Sequence, residues 1–378
     1  MLPILYNSNA AKQDLLNTNG LGFIKNCSSC RVSEERNGVY ELDMSVLRND
    51  RLGGNILPGM FVKAKTPENM QLFYIYSTTA EKNKVQAKAR HIKYLANDNL
   101  ISESFTKTGT PQVVWDYIEE IIALPLDFSF SSDITTQSTV SFDRLVRVGD
   151  FFGGVGGSLL DVFGGEYKYD NFNISLLNSR GTDTGVCLRY GSSISSLKQE
   201  CSSATVYSHF YPYAYVKLQD TQGQLKGERA ITTWNTYPLN TSLSYKRALA
   251  YDFTDDFSDE VLIISDSSGA PVDPTEAARL TQKLDALANA YISGNRAALT
   301  QLSVSITIDT ENGLKQLSSC NLCDTVLVYY EPFGRISTRA KIVKTEYDCL
   351  LERYTKIQLG QTKKTLADLI NVKNIGGA

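Results

Sequence analysis

Only two histidines occur in the 378 residues, and no apolar run is long enough to cross a bilayer. Runs such as VLII at 261–264 fall far short of the ~20 residues a spanning helix needs. The opening MLPILYNSNAAKQD has neither a basic head nor a long apolar centre, so no secretory leader is expected. A basic arm is missing too. Lys+Arg total 38 against Asp+Glu 41, a net charge of −3 with both signs interspersed, which disfavours tight binding to nucleic acid through phosphate neutralisation. Cysteine is sparse and odd in number, at seven, which suits reduced thiols better than a disulfide framework. Synthesis and folding in a cytoplasm is the expectation, with no membrane insertion by this chain.

Motifs of catalysis are missing as well. No Gly-Lys-Ser/Thr phosphate loop, no G-x-S-x-G elbow and no H-E-x-x-H helix is present. The glycine-rich GGVGGSLL at 153–160 has Leu159 where the third glycine of a dinucleotide fingerprint belongs, so it reads as a flexible loop. His91 and His209 have no adjacent acid to orient them. Cys27-Ser-Ser-Cys30 and Cys320-Asn-Leu-Cys323 lie too far apart in the chain for a zinc ribbon, and neither has a knuckle glycine. DFTDDFSDE at 252–260 lacks calcium-loop spacing and reads as a solvated acidic loop. No catalytic, metal or cofactor-binding residues are therefore expected.

What the sequence does contain is strand after strand. With 42% apolar and 21% charged residues it is an ordinary globular composition, and the length predicts two to four domains. FIKNCSSCRV and GVYELDMSV flank the turn-like Glu35-Arg36-Asn37-Gly38, and MFVKAK, QLFYIYSTT and KVQAKARHIKYL follow, so five strands of a small barrel or sandwich are predicted in residues 1–99. Thr110 caps a helix that starts with Pro111 and shows Val114, Tyr117, Ile118, Ile121 and Ile122 on one face. Phe142, Leu145, Val148 and Phe152 have helical spacing, broken by glycines before a short helical SLLDVF. A second helix is capped by Asp273, with Pro274 first and Glu276 as capping-box partner; Leu280, Leu284, Leu287 and Tyr291 form its stripe and Gly294 its end. TLADLI closes the sequence as a short helix.

Two patterns stand out. PGMFVKAK…KVQAKARHI near the start is echoed by CDTVLVYY…STRAKIVKT near the end, which suggests one β-module used twice. Tyrosines 207, 211, 213 and 215 alternate along one strand, suiting a buried strand, a subunit interface or a glycan platform. In GGEYKYDNFNISLLNSRG (164–181) the apolar residues are odd-numbered before Asp170-Asn171 and even-numbered after it. That parity change predicts a hairpin with a tight Asp-Asn turn and one apolar face.

The same segment resembles the signature of the prophage endopeptidase tail family, the N-terminal structural part of tail-associated lysins in phages with long non-contractile tails. The matching positions are Gly164, Gly165, Glu166, Tyr169, Asp170, Asn171, Phe172, Leu176, Leu177, Arg180, Gly181, Arg189, Tyr190 and Gly191. Further matches are ARHIKYL at 89–95, YPYAY at 211–215 and RAKIVKTEYDCLLERYTKIQLG at 339–360. The family often has Gly-Asp before the penultimate long strand, where this chain has Cys323-Asp324.

The resemblance implies a mainly β, multidomain tail hub fold with α+β insertions and two related barrel-like tube domains. The implied boundaries are 1–99 for the first tube domain, 100–200 with 225–300 for an α+β domain, 201–224 with 301–361 for the second tube domain, and 362–378 for the closing helix. It further implies a structural, non-enzymatic tail-tip protein of the virion: a homotrimeric ring that caps or extends the tail tube. Neighbouring tail proteins (distal tail protein, tape measure, receptor-binding or lysin components) are its implied partners, and DNA passes through without tight binding. Any lysin region of the family would follow these residues, so its peptidase activity is not expected here. A carbohydrate-recognising module is the alternative, and a cell-wall hydrolase a third class for which no nucleophile–base pair is visible.

Overall fold

The structure, a computed structural model, describes residues 1–49, 51–189, 196–202, 206–233, 237–239, 245–265, 269–300, 303–309, 317, 319–330 and 336–361. The expected closing helix at 362–378, together with Tyr190 and Gly191, lies outside the described residues. Contacts group the chain into two units: Met1–Gln199 with Ser305–Lys363, and Glu200–Val304.

The first hundred residues form strands β1 (Ile4–Tyr6), β2 (Gly22–Phe23), β3 (Cys27–Glu35), β4 (Tyr40–Leu47), β5 (Phe61–Lys65), β6 (Met70–Ala80) and β7 (Lys84–His91), with helix α1 (Lys12–Asn17) after the first. β3 to β7 are the five runs predicted from alternation. In β4, for instance, Tyr40, Leu42, Met44 and Val46 are buried while the residues between them face outward. β1 and β2 are too short to carry a readable period.

A layer of short elements follows: α2 (Lys93–Asn97), β8 (Leu100–Ile101), β9 (Phe105–Gly109), α3 (Pro111–Ile121), β10 (Ser129–Ser132), β11 (Ser138–Phe142), β12 (Val146–Arg147), α4 (Val148–Phe152), α5 (Leu159–Phe163), β13 (Glu166–Asp170) and β14 (Asn173–Leu177). Thr110 caps α3 through its hydroxyl, which accepts from the Val113 amide. Trp115 on α3 stacks on Phe130 at 5.2 Å and on Phe152 at 5.3 Å, and these two rings lie 6.1 Å apart, so the three form the centre of an aromatic core. The helical spacing of Phe142 and Leu145 misled. Phe142 ends β11, packed on Phe105 of the paired β9, while Leu145 is 58% exposed, and α4 starts only at Val148.

β15 (Asp183–Arg189) and β16 (Ser196–Ser202) lead into the second unit, whose sheet contains β17 (His209–Gln219), β18 (Leu225–Thr232), β19 (Tyr237–Pro238), β20 (Ala248–Asp252) and β21 (Val261–Ile263). Its helix α6 (Pro274–Thr300) packs Leu280, Leu284, Ala288 and Ile292 into one core with Phe210, Ala214 and Val216 of β17. Asp273 caps α6, its carboxylate accepting from the Thr275 amide at 2.8 Å. Two details depart from expectation. The Glu276 carboxylate bonds Arg279 at 2.9 Å one turn on, and the helix runs through Gly294 because Arg296-Ala297-Ala298-Leu299 are strong helix formers.

The chain then returns to the first unit as β22 (Ser303–Asp309), β23 (Thr325–Tyr330), β24 (Ile336–Asp348) and β25 (Arg353–Gln361). The resulting 13-stranded sheet contains one pattern twice. Neighbouring strands run β3-β4-β7-β6-β5-β1 in the first half and β16-β22-β25-β24-β23-β15 in the second, in matching chain order. Local detail repeats as well. The Gly59 amide donates to Ile75 O at 2.7 Å and the Ile75 amide to Met60 O at 2.8 Å. Likewise Cys323 donates to Ile342 O and Ile342 to Asp324 O, both at 2.8 Å. A bulge follows each central residue, between Ile75 and Ser77 and between Ile342 and Lys344. The sequence echo thus marks a true repeat of topology, but it aligned β7 with β24, whereas the topology equates β6 with β24. The halves differ in one edge: β1 is antiparallel to β5, and β15 is parallel to β23. Within the chain they join where β24 pairs with β3, Lys344 opposite Glu35 through Asp348 opposite Arg31.

Candidate functional site

The signature segment folds as the predicted hairpin, one residue out of place at its tip. Tyr167 faces Leu176, Tyr169 faces Ile174, and Asp170 still pairs with Asn173, so the turn residues are Asn171 and Phe172 rather than Asp170 and Asn171. Asn171 has φ 53°, a left-handed conformation that asparagine tolerates better than other side chains. β14 also pairs in parallel with β10.

Two turn asparagines tie this hairpin into the sheet from opposite ends. The Asn171 carboxamide accepts from the Leu72 amide at 2.9 Å and donates to Met70 O at 3.0 Å, extending the start of β6. Asn37, also left-handed at φ 56° in the β3–β4 turn, accepts from the Tyr167 amide at 2.8 Å and donates to Gly165 O at 3.0 Å. Each side chain does the work of a strand edge at a place where no strand reaches.

Between them runs a buried polar relay. The Asn171 amide donates to Gln71 Oε1 at 2.8 Å, and His91 Nε2 lies 3.0 Å from the same oxygen. His91 Nδ1 accepts from the Lys93 amide at 3.2 Å, so Nε2 carries the proton and the ring is neutral. Burial, then the nearby Lys93 and Arg180 charges, hold its pKa well below the ordinary value. The ring stacks on Tyr40 with centroids 4.5 Å apart. Lys93 sits 3.9 Å above the Tyr169 ring and donates to Gly38 O at 2.8 Å; burial lowers its pKa to about 8.

Charges gather at the hairpin base. The Arg180 guanidinium, 5% exposed, meets Glu34 at 2.7 Å and Glu68 at 3.2 Å, and Glu68 also takes Lys168 at 2.7 Å. Burial alone would lower the Arg180 pKa, but the two carboxylates hold it well above its ordinary value. Glu166 accepts from the Arg180 amide at 2.9 Å and pairs with Lys341 at 2.5 Å and Arg36 at 3.5 Å. Burial would raise its carboxyl; these cationic and amide partners keep it below the usual range. Among the described residues, Arg180 Nε is the one buried side-chain polar atom without a hydrogen-bond partner. Arg180 also lines a cavity of about 10 Å³, room for a single water.

Beyond Arg180 the chain passes tightly against β23. A side chain on Gly181 would put its Cβ 2.0 Å from Cys323 O, so only glycine fits. The buried Asp324 carboxylate then accepts from the Thr182 amide at 2.8 Å and the Asn321 amide at 2.7 Å, and Thr325 donates to Thr182 O at 2.8 Å. The signature residues from Gly164 to Gly181 thus lock the hairpin to β3, β6, β23 and β24. Asn37, Gln71, Lys93, Glu34, Glu68 and Lys341 complete the junction from distant parts of the sequence; Asn37 lay in the predicted turn and Lys93 and Lys341 in matching segments, but nothing in the sequence pointed to Glu34, Glu68 or Gln71.

Little here can react. Burial, then Glu166, push the Cys323 thiol up to about 12, which keeps it protonated. In the second unit, Ser208 Oγ lies 2.8 Å from His209 Nδ1, but this serine is buried and bonds both backbone groups of Arg247. Cys27 and Cys30 lie on β3 near Cys349, while Cys320 and Cys323 flank the turn into β23, Cys320 3.8 Å from the Thr184 hydroxyl. Along β17, Tyr211 and Tyr215 face outward at 36% and 44% exposure with Tyr213 between them. The Tyr213 and Tyr215 rings meet edge to face, at 86°.

A prophage tail protein of Listeria monocytogenes is similar in structure with a TM-score of 0.55 and 16% identity, over 97% of this chain and 96% of that one. The 43 kDa tail protein of a Shewanella oneidensis prophage is similar with a TM-score of 0.52 and 12% identity, over 88% of this chain and 93% of that one. At such identities the likeness speaks to the fold. No curated protein matches the sequence. The family model of the prophage endopeptidase tail matches residues 182–370, half of the chain, starting just past Gly181 and spanning β15 to β25. By that match the chain belongs to the prophage endopeptidase tail family.

Proposed function

We propose that three copies of this chain form a ring at the tip of a phage or prophage tail, a baseplate hub that caps or extends the tail tube and gives passage to DNA. The observation that carries this reading is the repeated module and the way its halves join. Within the chain, β3 of the first half pairs with the outer end of β24 in the second. The equivalent outer end of β6, Ser77–Ala80, pairs on one side with β7 and on the other with no strand among the described residues. The strand equivalent to β3 is β16, which pairs with β22. Mating β16 of one copy to β6 of the next repeats the internal junction between copies. Three chains then close into six equivalent modules, and closure pairs the free edge of β16 and the outer end of β6 in every copy.

Several features support a structural role. The hairpin residues from Gly164 to Gly181 serve packing and hydrogen bonding, Cys323 is held protonated, and His91 is neutral and buried with the Gln71 carboxamide and Lys93 amide as its partners. A carbohydrate platform would need coplanar rings, which the edge-to-face Tyr213 and Tyr215 do not offer. With a net charge of −3 the chain has no basic excess with which to retain DNA in a channel. Distal tail, tape-measure, and receptor-binding or lysin proteins would be the neighbours.

A proline tests the ring. The Glu81 amide donates to Lys84 O across the β6–β7 turn, so by alternation the Thr78 amide points away from β7, toward the open edge. Thr78→Pro removes that donor while leaving the β6–β7 ladder intact. Native mass spectrometry should show trimers of the parent chain and at least about tenfold weaker association of the variant, with matching melting curves. Equal association by both chains, or density at a tail tip with a stoichiometry other than three, defeats the proposal.

A further inference from the structure

We propose that Cys30 and Cys349 form a disulfide that staples the junction between the two modules, and that Cys27 is the thiol through which an external small-molecule disulfide enters. The β3–β24 register places Cys349 directly opposite Cys30, one step beyond the Asp348–Arg31 pair, and the Cys349 amide donates to Cys30 O at 2.9 Å. Directly opposed, hydrogen-bonded residues have Cα atoms about 5.5 Å apart, at the favoured separation for a disulfide.

Cys27 reaches the same spot because of a bulge. In an unbroken strand, residues three apart face opposite sides of the sheet. Between Cys27 and Ser29 the β3–β4 register shifts: Cys27 pairs with Val46 and Cys30 with Met44, residues two apart on one face. Cys30 consequently has the thiols of Cys27 and Cys349 beside it, both raising its pKa, and the Cys27 thiol donates to Ser29 O at 3.2 Å. Cys30 and Cys349 are fully buried, whereas Cys27 is half-buried. Cys30 is thus flanked by one half-buried thiol and one buried thiol.

The exchange balances with one oxidised glutathione. The Cys27 thiolate attacks a glutathione sulfur, forming a mixed disulfide and releasing one glutathione thiolate. The Cys30 thiolate attacks the Cys27 sulfur and releases the second. The Cys349 thiolate then attacks the Cys30 sulfur, and Cys27 leaves as a thiolate. Two protein thiols lose two protons and two electrons, and one glutathione disulfide becomes two thiols. Cys27 and Cys30, two places apart along one strand, are poorly spaced for a lasting bond, which makes Cys30–Cys349 the stable product. The bridge would fix the end of β24 to β3, where the Met1 amine also bonds Cys349 O at 2.8 Å. The chemistry belongs to the chain itself and does not rest on the tail assignment.

The full-length chain is incubated with oxidised glutathione at pH 8.5, since hydrogen bonds to its neighbouring thiols and burial push the Cys30 pKa well up. After acid quenching and alkylation, non-reducing digestion with fragment mass spectra locates the bond. The expected product links Cys30 to Cys349, two hydrogens lighter than the free pair, with Cys27 alkylated. Oxidation should raise the Tm of the parent chain by about 5 °C and leave that of Cys349→Ser unchanged. Cys27→Ser should yield the same bridge at least about tenfold more slowly. Full alkylation of Cys30 and Cys349 after oxidation, or a stable Cys27–Cys30 bond, overturns the bridge. An unchanged rate in Cys27→Ser overturns the entry role.

Discussion

Cys323 occupies a backbone position made for glycine. Its φ of 74° lies in the left-handed region, and its structural equivalent in the first module is Gly59 at φ 89°. Glycine would take this conformation freely, and this chain accepts strain there in return for a buried side chain. The two terms nearly cancel. A left-handed non-glycine residue costs about 1–2 kcal/mol, and burying one small thiol-bearing side chain gains a similar amount. Cys323→Gly should therefore shift stability by no more than about 1 kcal/mol. Cys323→Val, β-branched in the same conformation, should cost about 2–4 kcal/mol. Urea unfolding of both variants checks the contrast; a glycine variant as damaged as the valine one would show that the backbone is not strained here. That the resemblance expects glycine where this chain has Cys323 was legible in the sequence, but the consequence depends on φ, which no residue pattern reports.

Among elements, the hairpin was the most legible and its surroundings the least. Alternation of Tyr167, Tyr169, Ile174 and Leu176 fixed both strands and their buried face, because period two is a local property. The turn slipped by one residue because Asp170 and Asn171 are both good turn formers, and the choice was made by Asn171 bonding Met70 and Leu72. Asn37, Gln71 and Lys341 belong to the same junction through contacts spanning a hundred residues or more, which leave no period in the chain. Asn171→Gly separates the two roles of that turn. Glycine accepts the left-handed backbone freely, so the loss isolates the carboxamide, whose removal leaves the Leu72 amide and Met70 carbonyl unpaired. About 2–3 kcal/mol of destabilisation is expected, with amide exchange at Leu72 speeding first. A variant as stable as the parent would mean that water replaces the carboxamide at no cost.

For the whole molecule, duplication explains the order of the chain. The strands β3 and β4 are neighbours joined by the short Glu35–Gly38 turn, and their equivalents β16 and β22 are neighbours separated by the entire second unit. That unit is thus inserted in sequence at the place of a hairpin turn, the kind of site at which insertions are tolerated. The sequence echo disclosed the repeat only dimly, since strand alternation constrains residue class and leaves identity free. Strand pairing, a property of three dimensions, made it plain. An excision follows from the insertion. Joining residue 202 to residue 303 through a short Asn-Gly turn should retain the 13-stranded sheet, because its ladders are made within the first unit. The β3–β4 turn shows that so short a connection can span neighbouring strands of this module. The shortened chain should melt cooperatively and protect the amides of β4, β7, β24 and β25 from exchange as the parent does. Loss of protection in β24 and β25 alone would show that the second module needs the inserted unit to hold its shape. Loss throughout would mean that the modules fold only together, across the β3–β24 junction.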